Sequence, residues 1–300
     1  MNIMIAGGGG IIGSFLSLKL TPKAFITVID NIPVGKNNSV ALDLSNNIET
    51  INYVNKCDKI DVLIFLVGRA HSKGKGKDYS MFERSNYQTL VNLMSAFEKY
   101  GKIPKKIIFA STIAVYGERS YQIIYKENLT TKPFSPYAVT KLMAEQYLLK
   151  KFENRSWILR FAPVYSSDFL LNINRRTKIS GMFYRVGSGN KKLSLCNIEN
   201  IKIAIKGIIQ GDVPPGIYNL SDTSYYTYND LLECQNAKRV IGIPPFSVKF
   251  LLQLGNLSNN TFIKENCVKL LSDNIFPSDK IRSYIDLPAS LGDIKLSNDK

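Results

Sequence analysis

Near the start of the chain, the run Gly7-Gly8-Gly9-Gly10-Ile11-Ile12-Gly13 separates a short apolar stretch at 2–6 from a helical pattern at 11–20. Four successive glycines suit neither a strand nor a helix interior, so the chain must turn there. The spacing fits G-x-G-x-x-G through Gly8, Gly10 and Gly13, and G-x-x-G-x-x-G through Gly7, Gly10 and Gly13. Glycines at such a turn let backbone approach a pyrophosphate and let the helix pack on the strand. The helix N-terminus then faces the phosphates. A glycine run by itself is often only a turn. Its place between strand and helix makes dinucleotide binding the expectation, with Gly7, Gly10, Ile11 and Ile12 as contacts.

Further apolar runs at 25–30, 61–67 and 106–110 read as buried strands, with helical patterns at 11–20, 85–100 and 137–152 between them. Continuous apolar strands fit a parallel sheet covered on both faces. Strand and helix in alternation predict an α/β fold with a doubly wound parallel sheet. Later strands are expected at 157–161 and 216–221, a polar, loop-rich stretch at 166–190, and short helices with loops at 223–300. The expected division is a dinucleotide-binding domain over 1–165, to which 194–222 returns, and a mainly substrate-binding region over 166–300.

Asp30 closes the second strand about twenty residues after the glycines, where a carboxylate would accept from ribose hydroxyls and repel a 2′-phosphate. NAD is therefore expected over NADP. The plainer alternative is that Asp30 starts the turn before Asn31. Tyr137 and Lys141 are spaced i, i+4, on one face of a helix that opens after Pro133 and Pro136. A nearby ammonium favours phenolate, so the pair predicts a Tyr137 pKa lowered toward working pH and a proton exchanged with a hydroxyl substrate. Y-x-x-x-K is common on surface helices. Its context here is Ala110-Ser111-Thr112 directly after a predicted strand, at the end where ligands bind in such sheets.

The net charge of +15 admits nucleic-acid binding, but the lysines are scattered along the chain. A solvated surface that draws an anionic substrate is the better reading. Cys57, Cys196, Cys234 and Cys267 form no C-x-x-C pair, and His71 is the only histidine, so neither a metal site nor a Ser-His-Asp triad is expected. No apolar run reaches membrane-spanning length, and the N-terminus reads as a strand, not as a signal peptide. The expectation is a cytoplasmic protein with no nucleic-acid or membrane partner. Lys73, Lys75 and Lys77, separated by glycines, form either a solvated surface loop or a segment that closes over substrate phosphates.

Across nearly its whole length the sequence resembles the extended short-chain dehydrogenase/reductase family, in particular nucleotide-sugar 4-epimerases and 4-ketosugar reductases. The residues that carry the likeness are Gly7, Gly10 and Gly13; Asp30-Asn31; Asp43-Leu44; Leu66-Val67-Gly68-Arg69-Ala70-His71; and Asn86…Asn92-Leu93. With them go Ser111-Thr112…Val115-Tyr116-Gly117, Tyr137…Lys141, Leu159-Arg160…Pro163-Val164-Tyr165, Ser194…Glu199-Asn200 and Tyr218-Asn219-Leu220-Ser221-Asp222. The resemblance implies Tyr137 as acid/base, Lys141 as holder of the nicotinamide ribose, and Thr112 as support for the reacting oxygen. It implies an adenine contact at Asp43-Leu44 and cofactor contacts at Asn31, Leu66, Val67, Gly68, Asn86, Pro163 and Val164. Arg69, Asn172, Lys191 and Lys192, with Thr112 and Tyr137, fall on the substrate side.

Departures narrow the chemistry. Related 4,6-dehydratases carry an acidic pair where this chain has Ile113 and Ala114. Related decarboxylases carry a Glu at the Ala114 position, and 3,5-epimerases need a Cys and a His. The Arg often found before the second-region Ser is replaced by Leu193, with Lys191 and Lys192 adjacent. What remains is oxidation or reduction at one carbon of a nucleotide-diphosphate sugar, either a 4-epimerase or a 4-ketosugar reductase. A non-catalytic dinucleotide sensor is disfavoured by the intact Tyr137, Lys141 and Thr112. A hydroxy-lipid dehydrogenase is disfavoured by the polar 166–200 stretch. Many family members dimerise through two helices per subunit, and 85–100 and 137–152 could serve in a homodimer.

Overall fold

The computed structural model describes residues 1–20, 24–33, 35, 38–69, 79–117, 124–258 and 260–294. Ala70, His71, Lys73, Lys75 and Lys77 therefore lie outside the described residues. In chain order the first half contains β1 (Asn2–Ala6), α1 (Ile11–Lys19), β2 (Phe25–Asp30), β3 (Ser39–Ala41), α2 (Asn47–Lys56) and β4 (Val62–Phe65). There follow α3 (Tyr79–Glu83), a π-helical turn (Arg84–Gln88), α4 (Thr89–Lys99), β5 (Lys106–Thr112), α5 (Pro136–Phe152) and β6 (Ser156–Phe161). The second half adds β7 (Val164–Tyr165), α6 (Leu171–Thr177), β8 (Lys178–Ile179), β9 (Met182–Val186), β10 (Lys192–Leu193), β11 (Cys196–Asn197), α7 (Ile198–Gln210) and β12 (Gly216–Leu220). It ends with β13 (Tyr226–Thr227), α8 (Tyr228–Cys234), β14 (Val240–Ile243), α9 (Pro245–Leu257), α10 (Thr261–Leu271) and α11 (Asp279–Arg282).

The expected doubly wound sheet is the one the chain builds. Seven strands lie in the order β12-β6-β5-β4-β1-β2-β3, and β3, β2, β1, β4 and β5 pair in parallel. Because strand side chains alternate, Met4, Ile29, Leu63, Phe65, Ile107 and Phe109 point to one face, into a core completed by Val54 of α2, Leu93 and Phe97 of α4, and Leu148 of α5. Ile3, Ile5, Ile64 and Ile108 point the other way and are equally buried, so the opposite face is covered too.

Two elements were not legible in advance. Residues 47–56, rich in Asn and β-branched side chains, have weak helix propensity. They form α2 because Asn46 caps it, its carboxamide oxygen accepting from the Ile48 and Glu49 amides at 3.2 and 3.3 Å. Residues 85–100 were expected as one regular helix, but Arg84–Gln88 form a π-helical turn. The wider turn aims Asn86 inward, where it is fully buried.

By contacts the chain divides into two units: 1–115, 135–160 and 205–218 in the first, and 116–134, 161–204 and 219–300 in the second. Within the 194–222 stretch expected to return to the first domain, 205–218 belongs to the first unit, and 116–134 and 161–165 belong to the second. In the second unit, residues 166–190 form α6, β8 and β9 in place of the expected loops, and α9 and α10 are longer than the short helices foreseen. Its polar centre is Asp222, buried, which accepts from the Asn197 amide at 2.7 Å, Asn200 Nδ2 at 2.8 Å and the Tyr226 hydroxyl at 3.0 Å, with Tyr165 donating as well. Asn200 also donates to the Ala289 carbonyl, so this hub ties the C-terminal segment to the unit.

The glycine loop makes a sharp test of the packing. An added Cβ at Gly13 would stand 2.5 Å from both the Gly7 oxygen and the Gly8 Cα, which are backbone atoms that cannot yield. Alanine normally improves a helix interior over glycine by about 1 kcal/mol. Overpacking costs about 1–3 kcal/mol and is the larger effect here. Gly13→Ala should therefore lower stability, read as a reduced urea midpoint at unchanged m-value.

Candidate active site

The first unit brings its site residues to the C-terminal ends of β1, β4 and β5. Gly7 adopts φ +86°, and a Cβ there would meet the Val67 nitrogen at 2.7 Å, so the glycine loop lies directly against the segment after β4. Gly9, Gly10 and Ile11 are exposed while Ile12 is half-buried. Gly10 caps α1 without any side-chain hydrogen bond, and the first turn of α1 carries no acidic residue. Its amide groups thus face outward under the positive end of the helix dipole, the arrangement that holds a pyrophosphate. The residues present fit a dinucleotide.

Asp30 stands beside this loop. Its Oδ2 accepts from the Gly9 amide at 2.8 Å, so it braces the loop as well as ending β2. Asn31 follows on the exposed side. Asp43 is exposed, and its carboxyl is held below the usual carboxylate range by hydrogen bonds from Ser45. Leu44 is buried in the sheet core and offers a ligand only backbone, and its carbonyl already accepts from Asn92 at 2.9 Å. The Leu66 amide donates to the Ala6 carbonyl at 2.8 Å, which fixes the chain that continues into Val67 and Gly68.

Asn86, turned inward by the π-helical turn, secures that continuation. Its Oδ1 accepts from the Arg69 amide at 2.6 Å, and its Nδ2 donates to Thr140 Oγ1 of α5 at 3.1 Å. Arg69 itself is exposed, its guanidinium resting against Met81.

Three consecutive residues at the end of β5 are laced to three successive turns of α5. The Ala110 carbonyl accepts from Lys141 Nζ at 2.9 Å, the Ser111 hydroxyl donates to Glu145, and Thr112 shares a hydrogen bond with the Tyr137 phenol. Lys141 Nζ also donates to the Val67 carbonyl at 3.0 Å and lies 4.8 Å from the centre of the Phe109 ring. A Cβ at Gly68 would stand 2.9 Å from Lys141 Nζ, so a larger residue there would shift the end of the lysine.

Electrostatics reverse one expectation. The i, i+4 spacing predicted that Lys141 would lower the Tyr137 pKa. Instead burial pushes the Tyr137 phenol up to about 12, against a smaller lowering from its Thr112 hydrogen bond. Burial also brings Lys141 down to about 7, opposed by the nearby Glu145 carboxylate. The lysine has spent two donors on backbone carbonyls, and desolvation outweighs its pull on the phenol.

Sequence reading missed Glu145 and Arg160 as parts of this machinery. Glu145 is buried, and Arg160 grips it through Nη2 at 2.7 Å and Nε at 3.1 Å. The signal was available: Tyr137, Lys141 and Glu145 stand at i, i+4 and i+8 on one helix face.

The remaining candidates belong to the second unit. The Pro163 carbonyl accepts from the Cys196 amide at 3.1 Å and Val164 pairs with Cys196, so both serve the β7–β11 ladder. Asn172 Nδ2 donates to the Val164 carbonyl at 2.8 Å. Lys191 and Lys192 are exposed beside the buried Leu193.

Comparison with known proteins agrees with this geometry. The profile of the NAD dependent epimerase/dehydratase family matches residues 3–220. The chain belongs to that family. Among curated relatives, the chain is 29% identical over 179 residues to a putative UDP-glucose 4-epimerase of Methanocaldococcus jannaschii, covering 54% of this chain and 56% of the relative. It is 28% identical over 180 residues to the UDP-glucose 4-epimerase of Azospirillum brasilense, covering 56% and 50%. The chain thus spans about half the length of the curated relatives it matches. Among solved structures, the Thermus thermophilus UDP-glucose 4-epimerase in complex with NAD superposes with a TM-score of 0.73 at 19% identity, covering 99% of this chain and 97% of that one. The Bacillus cereus UDP-glucuronic acid 4-epimerase with NAD gives 0.72 at 18%, covering 98% and 94%. At these identities the structural likeness concerns the fold. Among the described residues no helix is long and apolar enough to cross a membrane, and no cluster could hold a metal ion.

The buried lysine has a consequence for stability. Between about pH 7 and the ordinary lysine pKa near 10.5, the unfolded chain holds a proton on Lys141 that the folded chain has released. The unfolded state binds more protons, so stability rises with pH across that window. The Tyr137 phenol works oppositely: from its ordinary 10 up to about 12 the folded state keeps a proton that the unfolded one loses, and stability falls. Urea denaturation at a series of pH values should show native stability rising from pH 7 to 10. Lys141→Met should flatten that rise.

Proposed function

We propose that this protein is an NAD-dependent epimerase of nucleotide-diphosphate sugars that inverts a carbon, C4, by removing and returning hydride, with Tyr137 as acid/base. The observation that carries the reading is the convergence at the end of β5: a Tyr137 phenol bonded to Thr112, beside a Lys141 held by the Val67 and Ala110 carbonyls. Ligands of open parallel sheets bind at these strand ends. The chain's likeness to UDP-glucose and UDP-glucuronic acid 4-epimerases supports the substrate class. The absence of acidic residues at Ile113 and Ala114 leaves no second acid/base for dehydration. The chain's net charge of +15 favours an anionic substrate. We place the enzyme in the cytoplasm.

In this reading the exposed amides at the start of α1 would hold the NAD pyrophosphate and Asp30 would take an adenosine ribose. When bound, NAD supplies the hydride acceptor and donor, and its cationic ring opposes the effect of burial on the phenol. Tyr137, as the phenolate that the bound cofactor's charge would favour, accepts the proton of the C4 hydroxyl as that carbon becomes a ketone, and returns that proton to the oxygen once the opposite face of the sugar is presented. Thr112 holds the oxygen in line with the phenol. Lys141, poised near pH 7, is the group that can carry positive charge within this dry site at working pH.

One observation favours a second reading. With its pKa near 12, Tyr137 is a protonated phenol before any ligand binds, the form needed to donate to a ketone. A 4-ketosugar reductase uses that form first, consuming reduced cofactor once per turnover.

Tyr137→Phe should cut kcat by roughly 10²–10⁴-fold with NAD binding kept. The assay supplies UDP-glucose or UDP-glucuronic acid and follows C4 inversion, with net NAD(P)H oxidation on a 4-keto sugar run in parallel. Inversion without consumption supports the epimerase, and consumption supports the reductase. Full activity in the Phe variant refutes the acid/base assignment. Cofactor titration tests Asp30 separately: the native protein should bind NAD(H) better than NADP(H), and Asp30→Ala should narrow that gap. Stronger NADP(H) binding by the native protein would overturn the ribose role.

A further inference from the structure

Helix α9 of the second unit has a face that the fold does not use. Its inner face packs on α10: Val248 and Gly255 are buried, and a Cβ at Gly255 would stand 2.9 Å from Ile263 Cγ2. At about 100° per residue, Phe246, Phe250, Leu254 and Leu257 fall within about 80° of one another on the side turned away from those two, and Leu251 lies between that arc and Gly255. All five are exposed, Phe246 by 72% and Leu257 by 83%. Lys249, Gln253 and Asn256 occupy the third face, so the helix is apolar on two sides and polar on one. Soluble surfaces rarely leave so long an apolar stripe uncovered.

The surroundings are apolar and basic together. Residues 169–198 and 235–272 contain ten of the twenty-one exposed large apolar side chains among the described residues, in under a quarter of the chain. The first of these stretches has six Lys or Arg and no Asp or Glu; the second has five against the single Glu265. The stretches are joined in space: β14 pairs with β9, and Gly187 at the end of β9 lies against Pro245, the first residue of α9. The β8–β9 hairpin presents Ile179 and Met182, both more than half exposed, at a turn through Ser180 and Gly181.

We propose that α9 docks this protein on an anionic lipid bilayer, lying in the interface with Phe246, Phe250, Leu254 and Leu257 inserted among the acyl chains and the flanking cations on the headgroups. An apolar stripe bordered by Lys and Arg is the pattern of an interfacial helix. Charge selects this occupant over a second copy of the chain. A two-fold contact places the same patch against itself, and 168–199 with 233–273 carry eleven cations against five acids, so like net charge would face like. The inference is independent of the reaction proposed above.

The full-length protein is sedimented with vesicles of phosphatidylcholine alone and of phosphatidylcholine with phosphatidylglycerol in equal parts, and its mass is followed by light scattering. It should pellet with the anionic vesicles, stay in solution with the neutral ones, and be released by high salt. Phe246→Ser, Phe250→Ser and Leu257→Ser combined should lower vesicle partitioning by more than about tenfold. These side chains are exposed, so the melting temperature and NAD binding should be unchanged. Arg239→Glu with Lys249→Glu, which leaves the apolar arc intact, should weaken partitioning by at least about tenfold. The proposal is overturned if the native protein stays in solution with both vesicle types, or if neither variant set alters its partitioning. A native dimer that the serine variant turns into a monomer would also overturn it, assigning the face to a second copy.

Discussion

The site depends on the lacing of β5 to α5. Ala110, Ser111 and Thr112 alternate across the strand, yet each finds a partner on the same helix: Lys141, Glu145 and Tyr137. The middle tie bears the most electrostatic strain. Glu145 and Arg160 are both buried, and a charge in such a place costs several kcal/mol unless its partners are complete. The Arg160 fork and the Ser111 hydroxyl supply them. Buried pairs of this kind add little net stability compared with well-packed apolar residues, but they tolerate the loss of neither partner. What this one contributes is register. A helix sliding one turn along the strand would leave Glu145 without Ser111 and move the Tyr137 phenol away from Thr112 together.

The same dryness sets the chemistry. A lysine with a free ammonium beside a phenol would lower the phenol's pKa. Lys141 is instead pinned by two carbonyls, with Glu145 one turn further on, and pays for burial with a pKa near 7. Tyr137 moves the other way, to about 12. The two groups diverge because burial penalises the charged form of each, which is the ammonium of one and the phenolate of the other. A ligand that brings positive charge into this site would therefore favour the Tyr137 phenolate, and ligand binding and proton transfer become linked through that half-buried tyrosine.

Much of this was readable from the chain. Six strands and the sheet type follow from apolar runs, because a strand buried on both faces has no room for polar residues. The glycine loop was readable because only glycine serves where Gly7 meets the Val67 nitrogen and Gly13 meets the Gly7 oxygen. The pairing of Tyr137 with Thr112 needed only helix periodicity and the end of a strand. What could not be read depended on third partners. α2 forms against propensity because Asn46 caps it and α4 covers it. The π-helical turn that aims Asn86 inward leaves no local composition signal, since its cause is tertiary: hydrogen bonds to Arg69 and Thr140, far apart in sequence. The Tyr137 pKa runs against the expectation because spacing reports proximity and says nothing about solvent.

Net charge shows the same limit of averaging. A total of +15 spread over lysines along the chain suggests a uniformly solvated surface. The acids, however, are not spread in the same way: 168–199 and 233–273 hold five against eleven cations, so the local field there is positive. Such a field acts over roughly 8 Å at physiological ionic strength. It can steer a diphosphate in solution or gather anionic headgroups, and charge alone does not distinguish the two. The apolar arc of α9 does. A small anion has nothing to offer Phe246 or Leu257, whereas a bilayer removes both from water, a gain that holds the protein there only together with the attraction of the headgroups.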